Sequence, residues 1–149
     1  MTILVTGVAG FIGSNFVYYY LRKYKDRKII GLDKLTYAGN LGNLSKLSEE
    51  EKKRFVFIKG DINDRKLLEE IYSKYEIDGI INFAAESHVD RSIHDPGIFV
   101  KTNVLGTQTL LHVLKNITMK EKSKSSYTYR QTKYMERLDQ QGTSQKKRH

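Results

Sequence analysis

Residues 2–13 read TILVTGVAGFIG: five β-branched or aliphatic-type residues that stop at a glycine, then two more glycines at three-residue spacing. A short run with no polar alternation is what a parallel strand buried on both faces requires. From Phe11 to about Lys25 the period changes, and Phe11, Ile12, Phe16, Val17, Tyr20 and Leu21 recur at helical spacing. Gly7, Gly10 and Gly13 fall at the junction. Glycine there permits a tight turn, lets backbone N–H groups approach a pyrophosphate, and lets helix and strand pack closely. Three glycines can also merely turn a chain. The strand before them and the helix after them are the context that makes the pattern a candidate phosphate site.

Outward from this unit the two periods keep alternating. KIIGLD (28–33) is a second strand and RFVFIKGDI (54–62) a third. RKLLEEIYSKY (65–75) has a helical period, and IDGIINFAA (77–85) is a fourth strand. Pro96 then suits the first turn of a long amphipathic helix, PGIFVKTNVLGTQTLLHVLKN. The order β-α-β-loop-β-α-β-α predicts an α/β fold, a doubly wound (Rossmann) parallel sheet of about four strands in the order 3-2-1-4. Asp33 ends strand two, twenty residues after Gly13. A carboxylate there accepts from adenosine ribose hydroxyls and repels a 2′-phosphate, favouring NAD over NADP. The alternative is a solvated turn aspartate. Asp61 and Ile62 end strand three, where an oxygen and an apolar neighbour can hold adenine.

Composition narrows the classes. The 149 residues include no cysteine, which excludes disulfides and Cys-ligated metals and fits a reducing cytoplasm. The N-terminus lacks the pattern of a signal peptide, and no apolar run approaches the roughly 20 residues that span a bilayer. The formal charge is +9, but nine basic and three acidic residues lie from Met119 onward, leaving +3 for residues 1–118. Basicity so concentrated in a tail is poor support for a nucleic-acid partner.

Several stretches together carry a resemblance: VTGVAGFIGSNF, DKLTYAGNLGNL, GDI and NFAAESHVDRSIHDPGIFVKTNVLGTQTLL. Over residues 1 to about 114 they resemble the extended short-chain dehydrogenase/reductase family, and within it the nucleotide-sugar 4,6-dehydratases that act on dTDP-glucose. The glycine motif names only the superfamily, whereas DKLTYAGN and AAESHVDRSI separate these enzymes from UDP-sugar epimerases. The resemblance implies NAD as cofactor. Phe11 and Ile12 would line the pyrophosphate turn, and Asp33, Lys34, Leu35 and Thr36 the adenosine ribose. Asp61 and Ile62 would meet adenine. Ala84, Ala85, Glu86, Ser87 and Thr102 would contact the nicotinamide half, with Ser87 also touching the sugar. His88 is read as structural. The family's dimers imply a contact surface on the helix near residues 96–115.

The resemblance also implies a reaction. Hydride leaves C4 of glucose while a tyrosine, its pKa lowered by a lysine, takes the hydroxyl proton. A glutamate then removes the C5 proton, an aspartic acid protonates the departing C6 hydroxyl, and hydride returns to C6. The acid, the base and a threonine come from a TDEVYG segment after strand five, and the tyrosine and lysine from a later YxxxK helix. The 149 residues contain none of these segments in frame.

After Asn116 both periods stop, and disorder is the expectation for so polar a tail. Tyr129-x-x-x-Lys133 imitates the catalytic pair, but the same spacing occurs at Tyr19/Lys23 and Tyr24/Lys28 within or beside the first helix. A different reading comes from the genetic code. If each codon from Tyr127 onward takes the third base of one residue and the first two of the next, suitable synonymous codons yield HISTDEVYGEIGSTGYFTEETP. Each shifted position admits only two to four amino acids, and the glycine from Met135–Glu136 is forced. The expectation is a partial NAD-binding domain at 1–117, an out-of-frame tail at 118–149 and no substrate domain. The competing readings are another nucleotide-sugar dehydratase or epimerase of the same family, and a non-catalytic nucleotide-binding half-domain with a basic tail. Either way, strand four would present the apolar stretch Gly79–Ala85 as an open edge.

Overall fold

The computed structural model describes residues 1–120 and the pair 128–129. Strands β1 (Thr2–Thr6), β2 (Lys28–Asp33), β3 (Phe55–Lys59) and β4 (Gly79–Asn82) form a parallel sheet in the order β3-β2-β1-β4, as the alternation predicts. β5 (Thr128–Tyr129) adds two residues beyond β4, with Thr128 opposite Ile80 and Tyr129 opposite Ile81. That edge is therefore partly covered. Helix also continues through Lys120, past Asn116, where disorder was the expectation; the rest of the expected disorder, the altered frame and Lys133 fall outside the described residues.

The sheet is doubly covered because its central strands are apolar on both faces. Ile3, Val5 and Ile29 pack with Val17, Tyr20 and Leu21 of α1 (Phe11–Lys23). Leu4, Ile30, Leu32 and Ile80 pack on the other face with Leu68 and Ile71 of α3 (Arg65–Lys74) and Leu110, Val113 and Leu114 of α6 (Thr107–Lys120). Alternate residues of one run thus serve two cores, and a polar residue on either parity would break one of them. Among the described residues no helix is long and apolar enough to cross a membrane.

Two segments differ from the sequence expectation. The connection from β2 to β3 carries a 3₁₀ turn at Leu41–Leu44 and a single-turn α2 (Glu49–Lys52). Ser48 and Glu51 close α2 with a reciprocal capping box: Glu51 N donates to Ser48 Oγ at 3.2 Å, and Ser48 N to Glu51 Oε2 at 2.8 Å. After β4 comes a short α4 (Val89–His94), and the long helix begins as expected at Pro96, capped by Asp95 Oδ1 accepting from Ile98 N. It is not uniform. α5 (Pro96–Phe99) passes through a π-helical stretch at Val100–Gly106 before α6. Thr107 and Thr109 hydroxyls donate to the carbonyls of Asn103 and Leu105, and Gly106 lies so close to Ile62 that a Cβ there would meet its Cδ1 at 2.5 Å. Back-bonding threonines and this close approach are local features of a ladder that has widened.

The C-terminus of α1 is tied to β3 by one side chain. Arg54 donates to the carbonyls of Tyr24 (2.8 Å), Arg27 (3.1 Å) and Leu21 (2.9 Å). Helix-end carbonyls lack intrahelical donors, and a guanidinium fork supplies them. Arg54→Ala is expected to lower the unfolding free energy by about 2 kcal/mol in urea denaturation, since charge-assisted bonds are lost. Arg54→Lys should recover only part, because an ammonium cannot reach three carbonyls in one plane.

Candidate functional site

A cleft opens at the carboxyl ends of the strands, where α/β sheets place their ligands. It is built where β1 turns into α1. Thr6 is fully buried, and its hydroxyl bonds Asn82 Oδ1 while accepting from Ala84 N at 3.2 Å, so the ends of β1 and β4 are joined. Gly7 follows with φ +68°, a conformation that glycine adopts without strain, and a Cβ there would lie 2.7 Å from Ala84 N. Gly10 precedes α1 without a side-chain cap, and no acid lies in the helix's first turn. The first N–H groups of α1 therefore lack intrahelical or capping partners, which suits an anion there.

Asp33 is not a solvated turn residue. Its Oδ2 accepts from Ala9 N at 2.9 Å and its Oδ1 from Leu35 N at 2.8 Å, which locks the carboxylate between the glycine turn and its own loop. Leu35 has φ +57°, so the chain reverses immediately after the acid. Gly39 closes that loop, and a Cβ there would meet Asp33 Oδ1 at 2.9 Å. Across the cleft Lys34 pairs with Asp61 at 2.7 Å, while Asp61 Oδ1 accepts from the backbone and side-chain N–H groups of Asn63. Burial raises the Asp61 pKa, but the Lys34 ammonium and the Asn63 donors outweigh it and hold the carboxyl below its ordinary value.

Of the residues singled out in the sequence, Gly7, Gly10, Asp33, Lys34, Thr36, Asp61, Ile62, Ala84, Ala85, Glu86 and Thr102 line this one cleft. Gly13 lies beneath it, against Gly7. Phe11 and Ile12 stand at the start of α1, 82% and 66% exposed. Leu35 shapes the loop, and Ser87 lies exposed just beyond the lining residues. His88 is exposed, and its ring meets Tyr37.

Sequence reading missed the supports. Asn103 donates from Nδ2 to Glu86 O at 2.9 Å and accepts at Oδ1 from Glu86 N at 2.8 Å, clamping the segment after β4 to the π-helical stretch. Glu86 is 7% exposed, and its Oε2 is buried with no hydrogen-bond partner among the described residues. Thr6 carried a weak signal, a polar residue ending an apolar strand. Asn103 carried none, because its partner is a backbone.

The profile of the GDP-mannose 4,6 dehydratase family matches residues 4–130. The chain belongs to this family. Among its curated relatives in the search is the dTDP-glucose 4,6-dehydratase of Haemophilus influenzae, 46% identical over 131 residues, covering 87% of this chain and 38% of the relative. The low-salt glycan biosynthesis protein of Haloferax volcanii is 54% identical over 111 residues, covering 74% of this chain and 34% of the relative. The chain thus spans about a third of the length of these relatives. The crystal structure of dTDP-glucose 4,6-dehydratase from Bacillus anthracis in complex with NAD is 46% identical with a TM-score of 0.68, covering 78% of this chain and 34% of that one. UDP-glucose 4-epimerase of Thermotoga maritima, with UDP-glucose, gives a TM-score of 0.67 at 30% identity, covering 86% and 37%. The backbone does not separate the two activities. Side chains do.

Proposed function

We propose that this chain is the cofactor-binding part of an NAD-dependent dTDP-glucose 4,6-dehydratase, a cytoplasmic lyase that forms dTDP-4-keto-6-deoxyglucose in deoxysugar synthesis. The observation that carries the reading is Asp33, fixed by Ala9 N and Leu35 N at the mouth of the glycine turn. The residues present fit a dinucleotide: two walls, an uncapped helix start, and a turn whose glycines a Cβ would obstruct. NAD+, when bound, supplies the hydride acceptor. This chain's own groups hold it: the turn and the first N–H groups of α1 take the pyrophosphate, Asp33 with Lys34, Leu35 and Thr36 the adenosine ribose, and Asp61 with Ile62 the adenine. Ala84 to Ser87 and Thr102 serve the nicotinamide half, and Ser87 the sugar. Identity of 46–47% to solved dTDP-glucose dehydratases, against 26–30% to UDP-glucose epimerases of similar TM-score, supports the substrate class.

The same reading makes the 149-residue chain inactive by itself, its catalytic acid and base lying in the altered frame and the family's redox tyrosine not among its in-frame residues. A homodimer is part of it, supported by Val100, Val104 and Leu105, which are 54%, 59% and 49% exposed on the stretch assigned to that contact. A second reading, a non-catalytic nucleotide-binding unit, draws support from Thr128–Tyr129, which pair with β4 in the frame as written.

Calorimetry tests the cofactor. NAD+ should bind at least about tenfold more tightly than NADP+, a difference of about 1.4 kcal/mol, because a 2′-phosphate would face the Asp33 carboxylate. Asp33→Ser should bring the two affinities together. The ratio is the readout, since the substitution also removes two backbone hydrogen bonds. Equal affinities in the unsubstituted protein would remove the ribose role of Asp33.

A further inference from the structure

The cleft has two walls from separate parts of the chain. Lys34, Thr36 and Gly39 line it from the loop after β2, and Ala84 to Glu86 from the segment after β4. Next to these lining residues in the chain, the Tyr37 ring stands edge-on to the His88 imidazole, with centroids 6.0 Å apart and planes at 85°. This is the T-shaped arrangement that aromatic pairs prefer.

Neither loop needs this contact for its own shape. The first is anchored by Asp33 to Leu35 N and by Asn40 N donating to Ala9 O at 3.0 Å. The second is clamped by Asn103. Both rings are exposed, Tyr37 by 52%, so the pair contributes little to the core. What it does is join the two loops that carry the walls.

We propose that Tyr37 and His88 form a strap over the cleft, retaining a ligand that spans both walls, a dinucleotide, and indifferent to one that occupies a single wall, a mononucleotide. The inference rests on the cofactor reading above. It assigns positioning work to two residues, and it makes the strap a selector of ligand length rather than of base or sugar.

The test measures NAD+ and AMP binding to the full chain by calorimetry and stopped flow. Tyr37→Ala and His88→Ala should each raise the NAD+ Kd and dissociation rate about two- to tenfold, the worth of one aromatic pair. The double variant should be no worse than either single one, because both remove the same contact. Tyr37→Phe and His88→Phe should bind NAD+ like the parent, which assigns the effect to the rings. AMP affinity should not change in any variant, and this also reports that each is folded. Unchanged NAD+ binding in the alanine variants, additive losses, or AMP weakening in step with NAD+ would each overturn the strap. If the parent binds AMP but not NAD+, the cofactor reading fails, and the strap with it.

Discussion

Gly13→Ala is expected to cost the fold about 3 kcal/mol, near the upper end of ordinary overpacking, and to abolish NAD+ binding. Helix propensity alone gives the opposite sign, since alanine is better than glycine inside a helix by about 1 kcal/mol. Gly13 lies within α1, yet a Cβ there would stand 2.0 Å from Gly7 O and 2.7 Å from Gly7 C. Both are backbone atoms of a turn already held at φ +68° by Ala84 and Phe83 on its other side, so nothing flexible can yield. Gly10→Ala is the control. Its Cβ would meet Gly7 O at 3.4 Å, an ordinary contact, and its backbone is extended. Urea denaturation should find Gly10→Ala within about 0.5 kcal/mol of the parent, while a methyl at the cleft lining weakens NAD+. If Gly13→Ala melts with the parent, α1 slides away from the turn and the close approach is not required.

Restoring the reading frame is expected to produce the largest functional change. Incubated with dTDP-glucose and NAD+, the 149-residue chain should form no alkali-sensitive 4-keto product, because on the proposed reading no acid, base or redox tyrosine of the family is in frame. Each such proton-transfer group is worth about 10²- to 10⁴-fold, and their joint loss leaves no enzymatic turnover. The frame read as HISTDEVYG and continued through the rest of the gene should turn over at about 1 to 10³ per second, the ordinary enzyme range. Resequencing the coding DNA is the direct check of the altered frame. Enzymatic turnover by the 149-residue chain would overturn the proposal. So would a cooperatively melting monomer with slow amide exchange over residues 127–149, since Thr128–Tyr129 would then belong to a genuine structural element.

What local pattern can encode, residues 2–33 encoded. The run TILVT, the three glycine spacings and the change to helical period require only neighbouring residues, because strand burial, turn conformation and helix facing are each settled within a few positions. Strand order then follows from right-handed crossovers, and the acid at the end of β2 from its distance to Gly13. The single-turn α2 is local as well, marked by the Ser48–Glu51 capping box.

The supports of the cleft are of another kind. Thr6 meets Asn82 and Ala84 across 76 and 78 residues, and Asn103 clamps Glu86 across 17. Tyr37 meets His88 only because the loops after β2 and β4 rise on either side of β1. A side chain that bonds a distant backbone leaves no periodicity, and its partner leaves no residue preference, so neither end marks the other. The register of the parallel strands and the widened turn at Val100–Gly106 bring those ends together. Fold and acid were local facts; the walls of the site and their closure exist only once three crossovers have set which loops are neighbours.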